Sequence, residues 1–427
     1  MNLISGKLLN REQSLAELDS LYEKICRTQS SGTLNADDVI SACSQLADTL
    51  SSEEYTPVLL SLGIPERKAE AELESVRLML SRKYLEKRLE IELPDKPDDV
   101  FTPYKGDGKV RHMVKPLGVL FHIVAGNVDA LPVFSVIEGL LTGNINIVKL
   151  PGTDNGLSIA FLKKLIDIEP KIADYVHVFD YPSEDIESMK KMADLADAIV
   201  IWGGDNAVKS VRQMAEPDTK IIEWGHKISF AYISGSDVAD EQLEGIAHNI
   251  CDSNQLYCSS CQGIYLDTCE YNSVVGFAKR FIKILDKKAQ SMPGDFDEYL
   301  RAQKALELYT EKLESIKAKK MVLSAPNCGV IAYEDSTLVP SYMFRNCWIK
   351  PLPKEKIVSE LRKYKNHLQT AALICDDADC EQIISSFSST GIVRITRGEK
   401  MSETYCGMPH DGEFSLRRYV KIVSCDI

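Results

Sequence analysis

"GVLFHIVAGNVDALPVFSVIEGLLTGNINIVKLP", residues 118–151, decides the fold. An apolar run (118–125) reaches a Gly-Asn turn and is followed by "VFSVIEGLLTG" (133–143) at helical spacing, then by a second short apolar run, "INIVKL" (145–150). Near-continuous apolar runs bounded by turn residues predict strands covered on both faces, and the intervening helix predicts a parallel crossover. Three more runs repeat the theme: "YVHVFDY" (175–181), "DAIVIWG" (197–203) and "TKIIEW" (219–224). The expectation is an α/β chain with a doubly wound parallel sheet. Ligands bind outside the carboxyl ends of such strands. That rule points to "VAGNVDALP", "KLPGTDN", "WGGDN" and "EWGHK".

Upstream, "REQSLAELDSLYEKICR" (11–27) and "ERKAEAELESVRLMLSRKYLEKRLEI" (66–91) set Leu, Ile and Val at helical spacing among charged residues. Residues 11–92 therefore read as helical. "LPDKPDDVFTPYKGDGKV" (93–110), rich in Pro and Gly, reads as a surface linker. Downstream, strand-like runs "ISFAYIS", "QGIYLD", "GVIAY", "TAALICD" and "GIVRIT" alternate with helical stretches, including a long one over 270–320. They predict a second α/β domain over about 229–400.

A chain of 427 residues exceeds one small core, so two or three domains are expected. Its net charge of −13 excludes a general nucleic-acid binder, which needs clustered Lys and Arg to release counterions. No apolar run approaches the ~18 residues that span a bilayer. The start, "MNLISGKLLNREQSLAELDS", turns charged too early for a secretory signal, so a cytoplasmic protein is expected. Twelve irregularly spaced cysteines do not form a disulfide framework and read mostly as small buried hydrophobes.

Two of those cysteines, Cys258 and Cys261, stand three apart in the polar loop "SNQLYCSSCQ" (253–262). A redox pair belongs at the start of a helix after an early strand, whereas these precede a strand deep in the chain. A zinc site needs a second cluster of Cys or His, and none occurs, so no metal is expected. A loop cysteine held between rigid elements suits a nucleophile, provided that the loop lowers its pKa or supplies a base. Asn127, just past the first parallel strand, suits an oxyanion donor through its amide, or simply a turn residue.

"HIVAGNVDALPVFSVIEGLLTGNINIVKLP", "EWGHK" and "NQLYCSSCQ", in that order, resemble the aldehyde dehydrogenase superfamily. "GVLFHIVAGNV", "GLLTGNINIVKL" and the late "MPHDGEFSL" are most similar to its LuxC-type acyl-CoA reductases. The resemblance covers about residues 105–425, with the first ninety residues matching more weakly. It implies an aldehyde-dehydrogenase-like architecture: a helical N-terminal segment (1–100) packed on a cofactor domain (101–233), then a catalytic domain (234–400). A C-terminal tail (401–427) would supply an oligomerisation strand for a dimer or tetramer.

The same resemblance implies the roles of individual residues. Cys258 takes the acyl group as a thioester, and the Asn127 amide with the Cys258 backbone N–H forms the oxyanion hole. Lys149 reaches the ribose of a nicotinamide cofactor, NADPH, while Gly203 and Gly204 let the backbone approach its pyrophosphate and Gly225 lies near the nicotinamide. Glu223 takes the place of the carboxylate that acts as general base in hydrolytic members. The implied activity is reduction of a fatty acyl-CoA, or an acyl-protein thioester, to the aldehyde, with an acyl-activating enzyme as a possible partner. Its rivals are an aldehyde dehydrogenase that releases free acid through Glu223, and a catalytically silent scaffold. Departures from the superfamily are Gly225-His226 in place of a glycine pair, the missing E-x-F-G-P segment around "SYMFRNCWIKP" (341–351), and Cys261, which reads as a bystander. His122 reads as a satisfied core histidine, His410 as a turn anchor with Asp411 and Gly412, and Trp202 and Trp224 as packing residues.

Overall fold

The computed structural model describes residues 1–61, 66–95, 101–104, 106–124, 130–235, 238–252, 254–292, 298–315 and 319–427. Its strands, in chain order, are β1 Asn2–Ile4, β2 Lys7–Leu9, β3 Thr102–Tyr104, β4 Asp107–Pro116, β5 Val119–Val124, β6 Ile145–Lys149, β7 Val176–Phe179, β8 Ala198–Trp202 and β9 Lys220–Trp224. They continue with β10 Ile228–Ile233, β11 Cys261–Leu266, β12 Lys320–Ala325, β13 Cys328–Tyr333, β14 Asn346–Pro351, β15 Leu368–Ile374, β16 Arg394–Thr396 and β17 Val420–Cys425. The chain forms two compact units, residues 1–225 with 405–427, and residues 226–404.

The first unit holds a seven-stranded sheet in the order β2-β1-β7-β6-β5-β8-β9. From β7 to β9 every pairing is parallel. The order reverses beside β5, and the connecting helices Leu131–Leu141, Leu157–Ile168, Ile186–Asp194 and Asp205–Met214 cover the sheet. Strands β6 and β7 are buried along their whole length, as their unbroken apolar runs require. The five strands expected between 118 and 224 all form. The β1–β2 hairpin was not foreseen, because three-residue strands carry no periodicity. It turns through Ser5 and Gly6 at φ 46° and 74°, the left-handed pair that a two-residue hairpin needs.

The N-terminal segment folds into six helices between Arg11 and Glu92, and its apolar stripe joins the core of the first sheet. Val39, Cys43 and Leu46 share that core with Leu162, Leu165 and Val178, all fully buried. Each such side chain contributes roughly 1.5–3 kcal/mol on leaving water. One buried ionic cluster fastens this segment further: Arg88 bonds Glu92 at 2.5 Å, Glu138 on the helix after β5, and Ser415 Oγ at 2.8 Å. Burial pulls the Arg88 guanidinium down, but Glu138 and Glu92 outweigh it and hold the group above the ordinary arginine range.

The second unit holds another seven-stranded sheet, β12-β13-β14-β11-β10-β15-β16, parallel except for the β12–β13 pair. Its interior accepts no extra atom at Gly263, where a Cβ would lie 2.0 Å from the Trp348 ring on the neighbouring strand.

Three boundaries differ from the expected ones. β10 (Ile228–Ile233), which the strand pattern put in the second domain but the resemblance-based bounds left in the cofactor domain, lies between β11 and β15, so the units part at Gly225 and His226 rather than at 233. The 93–110 linker contains β3 and the start of β4, which pair with each other in a separate antiparallel sheet whose third strand, β17, pairs with Arg111–Pro116 of β4. The antiparallel pairing of β3 with β4 overrides the local Pro and Gly signal there. The long helical stretch over 270–320 is two helices, Tyr271–Ser291 and Glu298–Glu314.

Candidate active site

The cysteine loop belongs to the second unit and starts where the helix Asp240–Asp252 ends. Asn254 and Gln255 take left-handed backbone, φ 48° and 64°, which swings the chain away from the helix axis. The loop is tied at several points. Gln255 Nε2 donates to the Cys261 carbonyl at 3.0 Å, the Cys261 N–H donates to Asn249 Oδ1 at 2.7 Å, and the Tyr257 N–H donates to Ser260 Oγ at 3.1 Å. Arg345, fully buried, donates to Asn254 Oδ1 and to the carbonyls of Cys251 and Ala289, near the carboxyl ends of two helices, where a cation is favoured. Met343, Phe344 and Arg345 are all left-handed, and the Phe344 N–H donates to the Asn254 carbonyl at 3.0 Å. The unrecognised "SYMFRNCW" segment is thus a buttress for this loop.

Cys258 sits at the crest, partly exposed, next to exposed Leu256 and Tyr257. Gln369 Nε2 donates to its Sγ at 3.1 Å, and Ser229 Oγ donates to its backbone carbonyl at 2.7 Å. Ser229 Oγ also accepts the Thr370 N–H at 3.0 Å, and Thr370 Oγ1 reaches Gln369 Oε1 at 3.5 Å. These bonds close a ring, Cys258–Ser229–Thr370–Gln369, whose three outer members are buried. The register of β10 slips at Ser229 against both neighbouring strands, and such bulges re-aim a side chain. Ser229, Gln369 and Thr370 escape a reading of the sequence because 111 positions separate Gln369 from Cys258. The one signal was a polar Gln-Thr pair opening an otherwise apolar strand.

Cys261 is different in kind. It opens β11, is fully buried, and burial pushes its thiol up to about 12. All twelve cysteines are free thiols. Among the described residues no three His, Cys, Asp or Glu gather where a metal ion could be held.

The first unit carries the remaining candidates at the carboxyl ends of its strands. Lys149 closes β6, is buried, and donates to Ser183 Oγ at 2.7 Å. Burial lowers its ammonium from the ordinary lysine range, against the pull of Glu184 and Asp180. Gly203 follows β8, and Gly204 caps the helix Asp205–Met214. A Cβ on Gly203 would press on Ala207 at 3.2 Å, whereas Gly225 has room. Glu223, in β9, is paired with Arg212 of the helix Asp205–Met214. Asn127 lies outside the described residues. A buried ammonium beside a hydroxyl and a glycine-capped helix amino end suit the ribose and pyrophosphate of a dinucleotide.

His122 is a core residue, as expected. Its Nε2 donates to Asn146 Oδ1 at 3.0 Å, since the Asn146 amide nitrogen is spent on the Asn144 and Tyr175 carbonyls. Its Nδ1 then accepts from Ser135 Oγ at 2.7 Å, and Ser135 in turn accepts from Trp202 Nε1 at 3.1 Å. Burial lowers the imidazole to about 4, so the ring is neutral. Gly139 lets this packing close, because a Cβ there would lie 1.9 Å from Asn146 Oδ1. His410 does anchor a tight turn, exchanging backbone bonds with Glu413 across Asp411 and Gly412, and its ring also packs on Trp202 and Trp224 at 5.3 and 4.9 Å. The two tryptophans stack on each other at 5.4 Å.

The sequence model of the acyl-CoA reductases (LuxC) matches residues 32–422. The chain belongs to this family. A long-chain acyl-protein thioester reductase of Vibrio harveyi is 24% identical over 455 residues, covering 99% of this chain and 92% of that one. A relative of the same name from Aliivibrio fischeri is 27% identical over 334 residues, covering 75% and 66%. Among solved structures, aldehyde dehydrogenase 21 of Physcomitrella patens superimposes with a TM-score of 0.70 at 11% identity, covering 96% of this chain and 90% of that one. An NADP-dependent enzyme of E. coli superimposes at 0.72 and 13% identity, covering 100% and 97%. This acyl-CoA reductase family member therefore has the aldehyde-dehydrogenase-like fold expected from its motifs. None of its described helices is long and apolar enough to cross a membrane.

Proposed function

We propose that this acyl-CoA reductase family member converts a long-chain acyl thioester, presented by CoA or by an acyl-protein, to the aldehyde through an acyl group on Cys258, with NADPH as reductant. The observation that carries the reading is a partly exposed thiol, held at both sulfur and carbonyl by buried polar groups, in a chain of this family. The Cys258 thiolate adds to the thioester carbonyl and a carbon–sulfur bond forms. The oxyanion collapses, the donor's carbon–sulfur bond breaks, and the donor leaves as a thiolate that takes up a proton. One sulfur replaces another, so this exchange costs little. Bound reduced nicotinamide supplies a hydride to the acyl carbon. Collapse of the resulting oxyanion then expels the Cys258 thiolate and releases aldehyde. The protein's task is to keep water from that carbon while orienting it.

In this reading the Asn127 amide and the Cys258 N–H hold the oxyanion, and losing one such donor costs about 3 kcal/mol, or about a hundredfold in rate. Lys149 with Ser183 holds a ribose, and the backbone at Gly203, Gly204 and Gly225 gives the cofactor room. The hydrolytic rival would need Glu223 as a base, and its carboxylate is held by Arg212, an ion pair that must open first. Two copies associate through the outer edge of β17, where Ile422 and Val423 are exposed. The free cysteines suit the reducing cytoplasm, and an acyl-activating enzyme supplies the substrate.

The test is hexadecanoyl-CoA with NADPH, followed for both products. Aldehyde formed in step with NADPH oxidation, and abolished in Cys258→Ser, is the expected result. Free acid formed without NADPH consumption, or full turnover by Cys258→Ser, would overturn it.

A further inference from the structure

We propose that Gln369 is a further catalytic residue, whose side-chain amide holds the Cys258 sulfur in its thiolate form for attack and again for departure. The inference rests on the reading of Cys258 as the nucleophile. Gln369 Nε2 is 3.1 Å from Sγ. A thiol is a weak acceptor and a thiolate a strong one, so an N–H aimed at sulfur favours the charged form. A glutamine amide can turn over, and its oxygen facing a thiolate would repel it. Two features hold the nitrogen toward the sulfur: Thr370 Oγ1 lies on the Oε1 side at 3.5 Å, and the side chain is only 7% exposed. Thr370 is pinned in turn through its N–H to Ser229 Oγ, which donates to the Cys258 carbonyl. The donor and the sulfur are therefore joined through one ring of hydrogen bonds.

Gln369 neither gives nor takes a proton in the reaction. When the thioester exchange begins, it shares the charge of the attacking sulfur. While the acyl group is bound, the thioester sulfur carries no charge. When the hydride-bearing oxyanion collapses, the electron pair of the breaking carbon–sulfur bond returns to sulfur, and the amide receives it again.

The experiment is the pH dependence of Cys258 alkylation by iodoacetamide, followed by peptide mass spectrometry, in Gln369→Met and Gln369→Glu. Met matches Gln in length but cannot donate, and Glu places an acceptor where the donor was. For Gln369→Met the alkylation midpoint is expected to rise by about one pH unit. Well below that midpoint tenfold less thiolate is present, but each thiolate is about threefold more nucleophilic, so the rate falls by about threefold. Gln369→Glu is expected to shift further in the same direction, and Thr370→Val, which frees the amide to turn, less far. An unchanged midpoint in Gln369→Met or Gln369→Glu with a native far-ultraviolet spectrum overturns the proposal. A purely packing role would change melting temperature without moving the midpoint. If the midpoint shifts yet Cys258→Ser still forms aldehyde, Gln369 tunes this thiol and the nucleophile assignment is what fails.

Discussion

Replacing Arg88 with Met tests how the helical N-terminal segment is fastened. The side chain of Arg88 is 20% exposed, and it faces Glu92 and Glu138 at 2% and 11%. Methionine fills much of the same volume but leaves two buried carboxylates without their cation. Breaking a buried pair from one side costs about 3–5 kcal/mol. Some relief remains, because the Leu416 N–H still reaches Glu92 at 3.2 Å and the Tyr419 hydroxyl reaches Glu138 at 3.4 Å. The lower end, about 3 kcal/mol, is therefore expected, which lowers the melting temperature by about 6–12 °C in a unit of this size. The assay is thermal unfolding followed by tryptophan fluorescence, since Trp202 and Trp224 both lie in the first unit. Adding Glu92→Gln and Glu138→Gln to Arg88→Met should restore most of the loss at pH 8. A deficit under about 1 kcal/mol, or no recovery in the triple variant, would refute the reasoning.

Burial holds His122 at about 4 and His177 at about 3, below the ~6.5 of an unfolded imidazole, so the unfolded state takes up protons first and stability falls as pH drops from about 6.5 toward those values. His177→Phe should lose less stability than the parent between pH 7 and pH 5 in urea titrations, and an identical loss contradicts this. Cys261→Ala should keep turnover within tenfold of the parent, and Cys261 should resist iodoacetamide at pH 7.5 in the folded protein; labelling as fast as at Cys258 would revive a reactive pair. Ile422→Lys should shift the sedimenting species toward monomer, whereas an unchanged distribution removes the β17 edge from the interface.

The first sheet was legible because each of its five parallel strands is an apolar run between turn residues, and for all but the edge strand β9 burial on both faces leaves no other pattern. β3 and β4 were not, since Pro, Gly, Lys, Arg and His are scattered through Thr102–Pro116, whereas a strand in the C-terminal tail was expected and forms as β17. The strand pattern placed β10 in the second domain, as its pairing with β11 and β15 does, and only the resemblance-based boundary at 233 fell eight residues late. Among the candidate residues, the polar loop around Cys258 in the second unit and the strand-end positions of Lys149 and Gly203 in the first followed from local pattern. The ring around Cys258 did not. Ser229 acts through a bulge, and Gln369 acts from a strand that local sequence places nowhere near the loop.

The most direct measurement is peptide-mapped mass spectrometry of the intact chain after incubation with hexadecanoyl-CoA and no reduced nicotinamide. One hexadecanoyl group on Cys258, absent in Cys258→Ser and discharged as hexadecanal when NADPH is added, is the expected result. An acyl group on another residue, or aldehyde formed with Cys258 never modified, would contradict the account.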